Sequence, residues 1–216
     1  MKENITVLLF LVSISIFGQQ DIIEKISQDV CICFTENKGD DTSILEKCFT
    51  KHIDTYKTEL DKLIDKNSSV PEYKQGQELG KKIFFEMQQN LVKNCDAYFN
   101  YFDNLRAQSI LAMKKKYSQS KVQSINVKLS ENKTIDLLWE RANLYFANND
   151  LIKAEIDYKE CLTMNPNHVP SMFFLGWLYE RKQNYNKALE IYQSIFDATK
   201  KQEIVLFIEL VKRKSK

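Results

Sequence analysis

An internal repeat of 34 residues is the feature of this sequence that most constrains its fold. Residues in the second half recur at this offset, and five positions are identical: Leu144 and Leu178, Tyr145 and Tyr179, Lys153 and Lys187, Ala154 and Ala188, and Tyr158 and Tyr192. A period of this length is typical of helical units that stack on one another. Each unit buries its apolar face only against a neighbour, so the pattern predicts a helical solenoid.

The chemistry of the recurring positions identifies the type of unit. The first helix of each unit carries a large, a small and an aromatic residue. These are Leu138, Ala142 and Tyr145 in the first unit and Met172, Gly176 and Tyr179 in the second. The second helix of the first unit carries Ala154, Tyr158 and Cys161 and is followed by Pro166. The second helix of the second unit carries Ala188, Tyr192 and Ile195. Over about residues 134–198 this pattern resembles the tetratricopeptide repeat, a helix–turn–helix unit. Small residues let two helices approach closely while the tyrosines fill the adjacent space.

Two positions depart from the pattern of that family. Arg141 stands where an apolar residue is usual, which indicates an atypical first repeat. Lys200 stands where the second unit would end in proline, which indicates a changed turn after that unit.

A further apolar segment follows the second unit, from Gln202 to Arg213. We expect it to form a helix that caps the last repeat, because stacked units need a terminal cover. Its second apolar face, formed by Leu206 and Leu210, leaves an alternative in which this helix joins a second copy of the chain into a homo-oligomer.

Composition supports an all-α protein. The 216 residues include only five glycines and three prolines, whereas sheet folds and phosphate-binding loops need these residues at many turns. The formal net charge is +2, so no global electrostatic attraction to nucleic acid is expected. No cofactor and no catalytic residue are predicted, and the protein is expected not to be an enzyme.

The first 18 residues have the layout of a secretory signal peptide. Lys2 precedes an apolar run from Ile5 to Phe17, and the small residue Gly18 follows it. The run is short for a spanning helix, which needs roughly 20 apolar residues. We therefore predict cleavage after Gly18 and an exported protein, periplasmic or secreted, with no stable membrane span. The alternative is a buried or uncleaved N-terminal segment.

The five cysteines form a set of four and one distant residue. Cys31, Cys33, Cys48 and Cys95 fall in the first hundred residues, and Cys161 lies in the first repeat. In an oxidising compartment the four predict two disulfides. Side chains two residues apart on a helix diverge by about 200°, so Cys31 and Cys33 are each expected to bond to one of the other two, in an order left open. Cys161 occupies a small packing position of the repeat and needs no partner.

A different chemistry is also open to these cysteines. Cys31, Cys33 and Cys48, together with His52 four residues further on, supply the donors of a zinc site. The alternative function is therefore a metal-binding or thiol redox-sensing helical domain that docks through the repeats.

The rest of the chain is divided by composition. Residues 19–117 carry apolar stripes at helical spacing and predict a disulfide-stapled helical bundle, with a helix break near residues 94–96. Residues 118–133 are polar and weakly periodic, and they are predicted to be a linker between the two domains, with room for a short helix. Residues 134–216 complete the chain as the repeat domain with its capping helix.

The resemblance implies a function as well as a fold. Tetratricopeptide units typically bind peptides or partner helices in a groove lined by their first helices. The register places six residues there: Trp139, Asn143, Phe146, Phe173, Trp177 and Glu180. Rigid aromatics supply contact area at low entropic cost. The predicted function is an exported, non-enzymatic scaffold that binds a protein or peptide. The alternative is that the first domain or the C-terminal helix covers these aromatics.

Overall fold

The computed structural model describes residues 3–37 and 43–216, with side chains from residue 20 onward. Within these residues the chain forms eleven helices and no strand, which confirms the predicted all-α class. The helices are α1 (Glu3–Glu36), α2 (Ser43–Thr55), α3 (Lys57–Asp61), α4 (Glu72–Asn94), α5 (Asp96–Lys114), α6 (Gln119–Glu131), α7 (Ile135–Ala147), α8 (Leu151–Met164), α9 (Val169–Arg181), α10 (Tyr185–Thr199) and α11 (Gln202–Lys214).

The side chains of the predicted signal peptide, residues 1–18, lie outside the described part of the structure. Backbone is described from Glu3, where α1 begins, but the side chains of residues 1–19 are not. Among the residues that the structure describes, no helix combines the length and the apolar character needed to cross a membrane. The cleavage site after Gly18 remains a prediction.

The chain divides into two compact units, Met1–Tyr101 and Phe102–Lys216. The division falls within α5 and not in the predicted linker, residues 118–133. Tyr98 packs its ring against Phe34 in the first unit, with the ring centroids 5.1 Å apart. Phe102, the first residue of the second unit, instead faces Phe207 at 5.9 Å.

The first unit is a helical bundle in which α1 packs against α2 and α4. Its core is apolar and includes Ile26, Val30, Met87 and Leu91, each at most 1% exposed. The predicted break near residues 94–96 occurs at Cys95, whose extended backbone separates α4 from α5.

Two disulfides join the helices of this bundle. Cys31 bonds to Cys95, with an S–S distance of 2.06 Å, and Cys33 bonds to Cys48, at 2.01 Å. The predicted disulfide-stapled bundle is thereby confirmed. The divergence of the two side chains of the Cys-x-Cys pair explains why Cys33 bonds to α2 and Cys31 to the break between α4 and α5.

The predicted linker, residues 118–133, contains the 13-residue helix α6. Ser118 caps it by accepting a hydrogen bond from the backbone N–H of Lys121 at 3.1 Å. Val122 and Ile125 are buried against Leu144 of the first repeat. The buried stripe of α6 consists of these two residues. Because the stripe is so short, the weak periodicity of this segment did not predict a packed helix.

The two repeats consist of α7 with α8 and of α9 with α10. Equivalent residues perform the same local task in both: Asp150 and Asn184 cap the second helices, each accepting the backbone N–H three residues on. The residues just before them, Asn149 and Gln183, take left-handed backbone with φ of 66° and 58°. The 34-residue period is therefore repeated in backbone conformation.

The departures from the family pattern have local explanations. Arg141 makes two hydrogen bonds to the carboxylate of the buried Asp157, at 2.8 and 2.7 Å, and one to Asn126 of α6 at 2.6 Å. The arginine is therefore accommodated because the buried carboxylate of Asp157 and the amide oxygen of Asn126 satisfy its guanidinium. Lys200 ends α10 in left-handed backbone, with φ of 54°, where a proline is excluded by its fixed φ.

Helix α11 covers the last repeat, as predicted. Ile204, Ile208 and Val211 belong to the same core cluster as Tyr192 and Ile195 of α10. On its other face Leu210 is fully buried and Leu206 is 8% exposed. Neither leucine is therefore an exposed apolar residue of the kind that a second copy would be expected to cover.

Candidate protein-interaction surface

The four aromatic residues among the six assigned to the groove lie in one cluster. Phe146 faces Trp177 with ring centroids 5.2 Å apart, and Trp177 faces Phe173 at 6.5 Å. Trp139 reaches the cluster through Phe174, at 6.1 Å. Helices α7 and α9 position these rings because the residues recur three or four positions apart along each helix.

Burial separates the six residues into two groups. Phe146 is 0% exposed, Trp177 is 8% exposed and Glu180 is 6% exposed, so these three do not offer an open surface in this structure. Trp139, Asn143 and Phe173 are partly exposed. Asn143 also accepts a hydrogen bond from the hydroxyl of Tyr158 at 2.7 Å, which fixes its amide.

The buried group is covered by helices of the same compact unit. Arg106 of α5 places its guanidinium carbon 4.8 Å from the ring centroid of Trp177 and 5.4 Å from that of Phe207 on α11. Phe207 also contacts Phe173, with centroids 4.7 Å apart. The C-terminal helix therefore covers part of the aromatic surface, which is one of the alternatives that the sequence left open.

An ion pair completes the covered end. Arg106 donates two hydrogen bonds to the Glu180 carboxylate, at 2.9 and 2.8 Å, and the Tyr192 hydroxyl donates a third at 2.8 Å. Burial by itself lowers the pKa of Arg106, but the hydrogen bonds and charge of Glu180 outweigh it and raise this pKa above its usual value. Burial raises the pKa of Tyr192 well above the usual range, so its hydroxyl stays a donor.

Sequence reasoning missed Arg106, Phe174 and Phe207 as parts of this surface. Phe174 lies beside Phe173 and was not distinguished from it by periodicity. Arg106 was assigned to the first domain, and it meets Glu180 only across 74 positions of sequence. No local signal in the sequence connects the two.

The contact between the repeats is reinforced by a second arginine. Arg181 donates to the carbonyl oxygen of Phe146 at 2.6 Å and to the side chain of Asn149 at 2.7 Å. Its guanidinium carbon lies 4.6 Å from the ring centroid of Phe146. Burial lowers the pKa of Arg181 from its usual value. These bonds tie α9 to the turn of the first repeat and hold the two inner helices together.

The cysteine chemistry bears on the alternative zinc site. All four sulfurs of the first unit are bonded in pairs, so Cys31, Cys33 and Cys48 present no thiolate to a metal in this state. His52 lies instead beside Asp29, with its Nδ1 atom 3.8 Å from a carboxylate oxygen. Within the described ranges 3–37 and 43–216, no three His, Cys, Asp or Glu residues are grouped as metal ligands.

Cys161 is free and buried, as its packing position predicted. Its sulfur lies 3.6 Å from the carbonyl oxygen of Ile135, and burial raises the pKa of its thiol. A raised pKa disfavours the thiolate, which is in keeping with a packing role for Cys161.

Comparison with known proteins identifies the repeats. The family profile described as tetratricopeptide repeat matches residues 135–168 and residues 169–201. This part of the chain therefore consists of two tetratricopeptide repeats. No curated protein and no solved structure matches the chain. Tetratricopeptide repeats are protein-interaction units, and they imply a protein partner.

Proposed function

We propose that this chain is an exported, non-enzymatic protein that binds a protein or peptide partner through its two tetratricopeptide repeats. The observation that carries the proposal is the aromatic inner surface of the repeats, which stays partly exposed at Trp139 and Phe173. Partly exposed aromatics held by packed neighbours lose little entropy on binding, which is why they recur at the centres of interfaces.

The polar residues beside Trp139 suit a peptide backbone. Asp136, Trp139 and Asn143 follow one stripe of α7 at steps of three and four, and Asp136 is exposed. The Asn143 amide accepts from Tyr158 through its oxygen, which orients its NH₂ group as a donor. A carbonyl oxygen of an extended or helical partner is the natural acceptor for that group.

Photocrosslinking from the full chain tests the binding surface. Benzoylphenylalanine in place of Asp136 puts a reactive group at the exposed end of this stripe. The same residue in place of Ile152, which is 72% exposed on the outer helix α8, is the matched control. We expect a discrete adduct from position 136 and none from position 152 in cells that produce the protein naturally.

Competition makes this result specific. An excess of the unmodified chain should abolish the adduct at position 136, whereas a chain with Trp139→Ala and Asn143→Ala should not. An Ile152→Ala chain should compete as well as the unmodified one. Equal adducts from positions 136 and 152, or equal competition by all three chains, would contradict the assignment of the surface.

Export and the state of the thiols are tested in one measurement. Two disulfides are typical of an oxidising compartment, which supports export. The protein recovered from its native source is denatured without reduction, alkylated and weighed by mass spectrometry. We expect the loss of residues 1–18 and one alkylated thiol, that of Cys161. A full-length mass or five alkylated thiols would refute this part of the proposal.

A further inference from the structure

The buried end of the repeat surface has the geometry of an arginine-recognition site. Glu180 holds the Arg106 guanidinium with two parallel hydrogen bonds, at 2.9 and 2.8 Å, and the ring of Trp177 lies under the same group at 4.8 Å. A guanidinium group can make two parallel bonds to a carboxylate while an aromatic ring packs against its planar face. An ammonium group cannot make this arrangement.

The site requires a cation because its carboxylate is out of water. The Glu180 side chain is 3% exposed, and a buried carboxylate without a partner is strongly unfavourable. Lys214 approaches Glu180 only to 3.9 Å and pairs with Asp103. Tyr192 supplies one neutral hydrogen bond. Arg106 is therefore the residue that neutralises the Glu180 carboxylate.

Arg106 enters the site on a helix whose stripe also fits the repeats. Phe102, four residues earlier, packs its ring 5.9 Å from that of Phe207. Ile110 and Met113, four and seven residues later, pack against the core cluster of the repeats. An aromatic residue, an arginine and two aliphatic residues at these steps make one face of an amphipathic helix.

We propose that the inner surface of the repeats recognises an amphipathic helix bearing an arginine, and that this chain fills the site in cis with residues 102–113 of α5. A partner helix with the same stripe then gains the site by exchanging its own arginine for Arg106. This deepens the proposed function by naming the chemistry of the partner. An incoming helix without arginine is disfavoured, because it would leave the buried Glu180 carboxylate with only the Tyr192 hydroxyl and Lys214, 3.9 Å away, as partners.

A labelled peptide tests the exchange on the full chain. The peptide carries the sequence of residues 102–114, and its binding is followed by fluorescence anisotropy. The Arg106→Ala chain lacks the resident guanidinium, so we expect it to bind the peptide at least tenfold more tightly than the unmodified chain. A peptide with lysine at the position of Arg106 should bind the Arg106→Ala chain at least tenfold more weakly than the arginine peptide.

Two controls keep the test decisive. Arg106→Lys keeps the positive charge but not the paired hydrogen bonds, and it replaces Arg106→Ala if tryptophan fluorescence shows that the alanine variant is unfolded. The double variant Arg106→Ala with Glu180→Gln removes the carboxylate as well, and its binding should not distinguish the arginine peptide from the lysine peptide. Absence of binding, or equal binding of the two peptides to the Arg106→Ala chain, would overturn the inference.

Failure here is separable from failure of the proposed function. The crosslink from position 136 does not involve Arg106 or Glu180. A persistent crosslink without arginine-dependent peptide binding refutes the arginine site alone. Arginine-dependent binding without the crosslink refutes the proposed partner surface and leaves the arginine site standing.

Discussion

Replacing Gly176 by alanine tests how closely the two helices of the second repeat are packed. An added Cβ would stand 2.9 Å from Cε1 of Tyr192, 3.1 Å from Cζ and 3.3 Å from Cδ1. Carbon atoms in contact prefer about 3.5–4.0 Å, so the ring would have to retreat. Tyr192 is 0% exposed and its hydroxyl is bonded to Glu180, so a shift disturbs the core and the ion pair together.

Gly80 in α4 offers the same substitution without the clash, because an added Cβ there meets nothing within 4 Å. Alanine for glycine within a helix stabilises by about 1 kcal/mol at either site. Overpacking at Gly176 costs about 1–3 kcal/mol in addition. The two substitutions should therefore differ by about 1–3 kcal/mol in their effect on the free energy of unfolding. Gly80→Ala should raise this free energy, and Gly176→Ala should give the lower value of the two.

Urea unfolding measures both effects. Both tryptophans, Trp139 and Trp177, lie in the second unit, so their fluorescence follows the unit that contains Gly176. Far-UV circular dichroism follows the helices of the first unit as well and reports the effect at Gly80. If Gly176→Ala stabilised its unit as much as Gly80→Ala stabilises the other, the argument from close packing would be refuted.

Three further predictions concern single features. Burial raises the pKa of Glu155, but hydrogen bonds from lysine and tyrosine outweigh it and lower this pKa to about 2. The resulting stabilisation is present at neutral pH and is lost as the pH falls from 4.5 toward 2, so Glu155→Gln should cost on the order of 2 kcal/mol at pH 7 and little at pH 2 in urea titrations. Gln183→Gly relieves left-handed backbone with φ of 58° and should raise stability by about 0.5–1 kcal/mol, whereas an unchanged melting temperature would argue against strain there. Removing the Cys31–Cys95 disulfide, which spans 64 residues, should destabilise by about 1 kcal/mol more than removing the other, which spans 15, when both double alanine variants are unfolded in urea.

Local patterns in the sequence were sufficient for the helices of the repeats and for their register. The positions paired by the 34-residue offset have the same caps and the same left-handed turns, because each depends on residues a few positions away. The break at Cys95 and the divergence of Cys31 from Cys33 follow from helix geometry in the same way.

Packing within the second unit was less accessible. Residues 118–133 carry too short an apolar stripe to indicate a packed helix, yet α6 buries Val122 and Ile125 against the first repeat.

Disulfide connectivity stayed open because two partners for each cysteine of the Cys-x-Cys pair satisfy helix geometry equally. The choice depends on which helices become neighbours.

The sequence by itself determined an all-helical chain with two tetratricopeptide repeats and an aromatic inner surface, since helical periodicity and small-to-large packing positions are written at short range. Only the tertiary structure decided which part of that surface is open. Glu180 was assigned to the groove from its register, but its carboxylate is buried by Arg106, which lies 74 residues away. A buried carboxylate requires a cation, and which cation reaches it depends on the path of the whole chain and not on the residues beside it.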